Sequence, residues 1–206
     1  MKDGTKQYLE TISWLGKLYN YLNDNLFNGE LKRPVITVQV DSKDRAYGWF
    51  TLKRVWKESA DDQGEFEINI SAQYLDRNIK GIAGTLIHEM CHQYAQVHNV
   101  QDCSRSGTYH NKLFKKIAED HGLSVVKDDR AGWAITAPTD ETIEMIGLFL
   151  EKFPAELVYR ERPQKGVRVN SSSTRKYLCP CCGMSVRATR SVNIMCADCN
   201  EFMDVV

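Results

Sequence analysis

His88-Glu89-Met90-Cys91-His92 has the residue types and the spacing to hold a metal and move a proton. Two histidines four apart on a helix sit one turn over the other, so both rings can reach a single zinc ion. Glu89 lies about 100° around that helix from His88, close enough to take a proton from metal-bound water without being a ligand. Short patterns of this kind recur by chance, so the surrounding segment must decide. Ile79, Ala83, Leu86, Met90, Tyr94 and Val97 form one stripe at helical spacing, and His88 and His92 fall on the opposite side with Thr85 beside them. One face packs and the other carries chemistry, which predicts a zinc hydrolase, most often a peptidase.

A catalytic zinc takes three protein ligands and leaves a fourth position for water. His98, six residues after His92, has the spacing of HExxHxxGxxH, but that geometry needs the helix to break at the central glycine, and Ala95 stands there. A helix continued through Ala95 carries His98 about 9 Å along the axis and about 120° away from the His92 direction. His98 is therefore expected at the surface near the helix end. His110 follows a polar loop, Gln101 to Tyr109, and opens an amphipathic segment with Leu113, Phe114, Ile117 and Ala118 that closes at Gly122. His110 is the preferred third ligand, with an acidic residue such as Asp102 or Glu119 as the alternative.

Cys179, Cys182, Cys196 and Cys199 make a second metal candidate. Two CxxC pairs separated by thirteen residues form knuckles that aim four thiolates at one ion. About thirty residues bury too little surface to fold alone, so zinc is expected to supply the folding free energy of this module. A disulfide framework fits less well, because the seven cysteines are odd in number and no secretory signal opens the chain. Cys91, Cys103 and Cys181 read as free thiols.

The elements that must position these residues follow from periodicity. Tyr8, Ile12, Leu15, Tyr19, Leu22 and Leu26 mark an amphipathic helix, and Thr139 to Phe153 another through Ile143, Ile146, Phe149 and Leu150. Val35 to Val40 and Ala46 to Leu52 read as strands joined by a polar turn, Glu65 to Ser71 as a third, and Trp133 to Thr136 as a short fourth. The fold class expected is α+β: a zincin-like domain of helices packed on a small, mainly antiparallel sheet, plus a small C-terminal zinc ribbon. An edge strand beside the metal helix would hold an extended substrate by backbone pairing. The expected boundaries are 1–157 for the protease domain, 158–175 for a basic linker and 176–206 for the ribbon.

The chain resembles the SprT-like (Spartan-type) zinc metalloproteases. The resemblance rests on Leu26-Phe27-Asn28-Gly29-Glu30-Leu31 after the first helix, on Ala46-Tyr47-Gly48-Trp49-Phe50 and on His88 to His92. It rests further on His110 with Phe114 four residues on, and on the four-cysteine element. It covers nearly the whole length and implies a protease whose zinc sits on His88, His92 and His110, with action on proteins bound or crosslinked to DNA. One departure is that Tyr109 and Asn111 flank the third histidine where the family usually has glycines, with Gly107 displaced.

The 206 residues, 42% hydrophobic, suit one sizeable core and one small appended module. No apolar run is long enough for a membrane span and the N-terminus lacks a signal peptide, so a reducing cytoplasm, with association to the nucleoid, is the expected location. The formal charge is zero, yet Arg160, Arg162, Lys165, Arg168, Arg175, Lys176, Arg187 and Arg190 face one acid, Glu161, between 160 and 190. This stripe makes DNA a candidate partner through Arg168, Arg175, Lys176, Arg187 and Arg190, beside protein substrates. The mechanism expected is metal-assisted peptide hydrolysis with Glu89 as the proton carrier. Tyr94, Tyr109 and Arg105 are candidates for stabilising the oxyanion. Two rivals remain: a non-catalytic DNA- or protein-binding zinc protein, and another HExxH hydrolase such as a deformylase.

Overall fold

The computed structural model describes residues 3–41, 46–162 and 174–206. Contacts divide the chain into two compact units, Met1–Arg162 and Pro163–Val206. The first opens with α1 (Gly4–Leu26), whose N-cap Asp3 accepts from the Thr5 and Lys6 backbone N–H groups. Trp14, Leu15, Leu18, Tyr19 and Leu22 form its buried face. From its last turn, Asn23 ties down the following loop, donating to the Leu31 carbonyl at 2.9 Å and accepting from the Leu31 N–H at 3.2 Å. The Leu26 to Leu31 motif is thus a helix stop strapped to its own helix.

Three strands follow: β1 (Val35–Thr37), β2 (Gly48–Phe50) and β3 (Glu67–Ile70). Their spatial order is β1-β3-β2, with β1 parallel and β2 antiparallel to β3. The expected turn between the first two strands therefore joins opposite edges, because β3, buried at all four positions, takes the centre. Although Glu67 and Asn69 alternate with Ile68 and Ile70, the strand is covered on both faces, as suits the middle of a sheet. Beside it runs α2 (Ile79–Val97), capped by the Asn78 side chain on the Gly81 N–H at 2.7 Å. Ile82, Ala83, Leu86, Ile87, Met90 and Ala95 are buried along α2, whereas Val97, expected on the packed stripe, is exposed at the helix end.

The chain then forms β4 (Cys103–Ser104), β5 (Tyr109–His110), α3 (Lys112–Asp120), β6 (Leu123–Asp128), β7 (Gly132–Pro138) and α4 (Asp140–Lys152). A second sheet has the order β4-β5-β7-β6, and its β5-β7 pair is parallel. The second sheet is mainly antiparallel, as expected, apart from that one parallel bridge, whereas the first has one parallel and one antiparallel pair. β6 was not apparent from sequence: Ser124, Val126 and Lys127 face solvent, and the strand is held by its hairpin to β7. α4 closes the core against α1, with the Phe149 ring 5.6 Å from Trp14 and 5.1 Å from Tyr21.

The segment 158–162, read as the start of the linker, is instead bonded to the first unit. The Val158 N–H donates to Thr11 Oγ1, the Arg160 N–H to the Ala72 carbonyl, and Arg162 pairs with Asp76 at 3.0 Å. The rest of the expected linker, with Lys165, Arg168 and Ser171 to Ser173, lies outside the described residues apart from Thr174 and Arg175.

The described part of the second unit holds β8 (Arg175–Leu178), β9 (Ser185–Ala188), β10 (Met195–Cys196), β11 (Glu201–Phe202) and β12 (Asp204–Val205). β12, β8 and β9 form one small sheet, and β10 and β11 a second pair. Its buried centre is Tyr177, Cys179, Cys196 and Met203. The protein is α+β, and among the described residues no helix is long and apolar enough to cross a membrane.

Candidate functional site

The unburied face of α2 points His88 and His92 into a cleft, and β5 brings His110 to meet them. The three Nε2 atoms lie 3.2, 3.2 and 3.1 Å apart. Nitrogens bound at about 2.1 Å to one tetrahedral ion stand about 3.4 Å apart, so the triangle has the size of a metal cradle.

Each ring is held by its other nitrogen. His92 Nδ1 meets Asp102 Oδ2 at 2.5 Å, His110 Nδ1 the Ala131 carbonyl at 3.3 Å, and His88 Nδ1 the Thr136 hydroxyl at 3.0 Å. A carboxylate and a carbonyl can only accept, so the Nδ1 atoms of His92 and His110 carry the protons there and turn their Nε2 lone pairs inward. With His88 Nε2 converging on the same point, these lone pairs suit a cation between the rings. Phe114, buried on α3, packs its ring 4.6 to 4.7 Å from all three imidazoles and closes the back of the cradle.

The electrostatics follow from burial and charge. Burial, then the neighbouring His92 and His110, push the His88 pKa well below the usual imidazole range; burial and His92 lower that of His110. Burial acts downward on His92 as well, but its side-chain hydrogen bonds to Asp102 and with Cys103 overcome it and raise its pKa to about 10. The carboxylate that favours a proton on His92 equally favours a metal cation at Nε2. Glu89, buried beside β2, has its pKa raised to about 7 by burial, against the charge of His92 and a backbone hydrogen bond from Phe50. A carboxyl group poised near neutrality is suited to taking and returning a proton.

Two glycines set these distances. A Cβ at Gly48 would press on the Asn69 carbonyl and on Thr85 of α2, so only glycine lets β2 run this close to the metal face. Gly132, at φ 75°, pairs with His110 across the parallel strands, and a Cβ there would strike the His110 carbonyl oxygen. His110 precedes α3 by two residues and sits on a strand instead of opening the helix; Asn111 is the N-cap, accepting from the Leu113 and Phe114 N–H groups.

The other candidates are elsewhere. His98 faces Glu30 at 3.4 Å and stacks on Tyr94, outside the cradle. Glu119 pairs with Lys115 along α3, and Asp102 holds a histidine without joining the three. Tyr94 packs among Phe27, His98 and His121, whereas Arg105 lines the cleft and its guanidinium lies 4.8 Å from the Tyr109 ring centroid. Asp102, Thr136, Ala131 and Gly132 were missed in these supporting roles. Only Asp102 carried a signal, as an acid near the motif.

In the second unit the ligand atoms of Cys179, Cys182, Cys196 and Cys199 lie within 4.8 Å of one another and could hold a metal ion. Cys182 Sγ and Cys196 Sγ are 3.7 Å apart, far beyond a disulfide bond and close to the ~3.8 Å edge of a tetrahedral zinc–thiolate site. The two knuckles repeat one another: the Gly183 N–H donates to the Cys179 carbonyl at 3.0 Å, and the Asn200 N–H to the Cys196 carbonyl at 2.8 Å. Backbone N–H groups of Cys182 and Cys181 lower the Cys179 pKa to about 7, which favours a thiolate. None of the seven cysteines is in a disulfide. Arg175 and Lys176 lie on β8 and Arg187 on β9, with Lys176 directly opposite Arg187; Arg190 is exposed just beyond, and Arg168 is outside the described residues.

The SprT-like family model matches residues 15–130, which hold α1 from Leu15, β1 to β3, α2 and the three histidines but not the four clustered cysteines. No curated protein and no solved structure matches the chain. With more than half of its length inside that match, the chain belongs to the SprT-like family, generally linked to metallopeptidase-like function.

Proposed function

We propose that the protein is a zinc-dependent endopeptidase with a zincin-type catalytic unit, acting on proteins bound or crosslinked to DNA. The observation that carries the catalytic part is the triangle of Nε2 atoms at 3.1 to 3.2 Å, with the buried Glu89 carboxyl one residue from His88 on the same cleft. His88, His92 and His110 would hold the ion, and zinc there supplies Lewis acidity that polarises the scissile carbonyl and makes bound water more acidic. Glu89 takes the proton of the attacking water and returns it to the leaving amine. β2 borders the cleft as a sheet edge, and its backbone can pair with an extended peptide and lay it across the histidines. Arg105, a cation lining the cleft, is the candidate to meet the oxyanion.

Cys179, Cys182, Cys196 and Cys199 would hold a second, structural zinc, giving two ions per chain. Thiolates of this kind persist in a reducing compartment, which supports a cytoplasmic location. DNA binding is supported by Arg175, Lys176, Arg187 and Arg190. Like charges directly opposite on neighbouring strands repel, and Lys176 facing Arg187 is a pair that a phosphate backbone would relieve.

The test is cleavage of an unstructured protein such as casein by the zinc-loaded chain, with and without DNA and with a chelator control. Chelator-sensitive cleavage that rises with DNA is expected. No cleavage under any condition, from protein shown to hold two zinc ions, would sink the protease reading. Binding to DNA that does not weaken with salt would sink the phosphate contact.

A further inference from the structure

Arg77 lines the same cleft as His88 and Glu89 but has no role in holding a metal or moving a proton. Its guanidinium is fixed on three sides. Nε donates to the Tyr74 carbonyl at 3.1 Å, Nη2 donates to Thr85 Oγ1 at 2.8 Å, and the Tyr47 ring centroid lies 4.0 Å from the guanidinium carbon. An arginine has five N–H donors, so three stay without a partner among the described residues. Two arginines outside the cleft lining are charge-paired, Arg54 with Glu65 and Arg162 with Asp76, the acid next to Arg77 in sequence, whereas Arg105, the other arginine among the cleft-lining residues, lies over the Tyr109 ring. Arg77 is half-buried, pinned in one orientation, and joined to no carboxylate among the described residues. Its pKa is lowered chiefly by burial, which outweighs the opposing influence of Tyr47, the nearby Asp76 charge and Tyr74.

Its position fixes what it can meet. Thr85 precedes His88 by three residues and His92 by seven, so it lies on the metal face of α2, about one turn towards the N-terminus. Tyr47 directly precedes β2, the sheet edge bordering the cleft. A peptide extended along β2 advances about 3.3 Å per residue and returns to the same face every second residue. The side chain about two residues from the bond over the histidines therefore comes to Arg77. The anion a peptide brings there is a carboxylate, which a guanidinium binds through paired hydrogen bonds.

We propose that Arg77, backed by Tyr47 and Thr85, forms a substrate subsite that selects an aspartate or glutamate side chain about two residues from the cleaved bond. This rests on the reading of the cleft as a peptidase site.

The experiment uses the full zinc-loaded chain and a peptide series in which Glu, Ala or Lys is placed in turn at three positions on each side of the cleaved bond. The wild-type protein is expected to favour Glu over Ala by about tenfold in kcat/KM at one position, and to disfavour Lys there. In Arg77→Gln the Glu-to-Ala ratio at that position falls to near one. In Arg77→Glu the preference moves to Lys. Each protein's own Ala peptide is the reference, so a general loss of activity does not mimic the effect. The same peptides, fluorescently labelled, are titrated into Glu89→Gln protein to read binding without turnover.

Equal handling of Glu, Ala and Lys peptides by the wild-type protein at every position overturns the subsite and leaves the protease reading standing. So does an acidic preference that persists in Arg77→Gln. Tight, Arg77-dependent binding of Glu peptides that are never cut keeps the subsite and overturns proteolysis. No binding and no cleavage of any peptide overturns both.

Discussion

The histidine cradle and the cysteine cluster are built on opposite plans. Around the histidines, the hydrophobic core comes first: α2, β5 and α3 are fixed by Leu86, Met90, Phe114 and Ile117, and each imidazole is locked by a separate hydrogen bond. The ligands are held by contacts of the protein itself. In the second unit, the buried centre is Tyr177, Cys179, Cys196 and Met203, so two of its four buried residues are themselves candidate ligands. Four apolar or weakly polar residues cannot offset the ordering entropy of some thirty. A metal in the first unit would tune a folded site, and in the second it would make the fold. A domain with a large core can therefore leave a coordination position open for chemistry, whereas a module stabilised by its metal must close all four.

The largest effect that would break this contrast comes from the cysteines. Cys196→Ala is expected to unfold the second unit, because structural zinc contributes about 10–16 kcal/mol to such modules, while peptide cleavage and the first unit's helical signal persist. Metal analysis should show one ion in place of two. A second unit that stays folded, by amide resonances, would show that its apolar residues suffice. Next, Glu89→Gln should lower cleavage by about 10³-fold or more with both ions and the thermal transition retained. Activity near wild type would remove Glu89 from its role.

Asp102→Ala tests whether the cradle is held from behind: the first ion should bind about 10- to 100-fold more weakly in a chelator competition, with the cysteine site unchanged. An unchanged affinity would mean that packing alone orients His92. The smallest effect expected is from Gly132→Ala, which forces a Cβ against the His110 carbonyl at a positive φ. It should cost about 1–3 kcal/mol in thermal stability, with some weakening of the first site. A change confined to the cysteine site would contradict the parallel β5-β7 link.

Both candidate ligand sets were legible as spacing. His88 and His92 share a helix face, and each CxxC is a local knuckle, so short-range geometry places those residues whatever surrounds them. The long helices were legible for the same reason. His110 was reachable because Phe114 and Ile117 mark a packed helix behind it, although its place on a strand was not. The order β1-β3-β2 could not be read, since periodicity reports which face of a strand is buried but not which strand lies beside it. β6 was hidden because its exposed residues give no clean alternation, and its partner β7 supplies the pattern that defines it.

By itself the sequence determined the metal-binding residue types, the helix that pairs His88 with His92, and the two cysteine knuckles, because each depends on residues within a few positions. Tertiary structure decided that β2 is the edge beside the cleft. It also decided that Asp102, Ala131 and Thr136 orient the three rings, and that Arg77 stands between Tyr47 and Thr85. Those contacts join residues of different elements, from 8 to 48 positions apart in the chain. They form only once burial of the shared core fixes the strands and helices against one another, and no local preference encodes them.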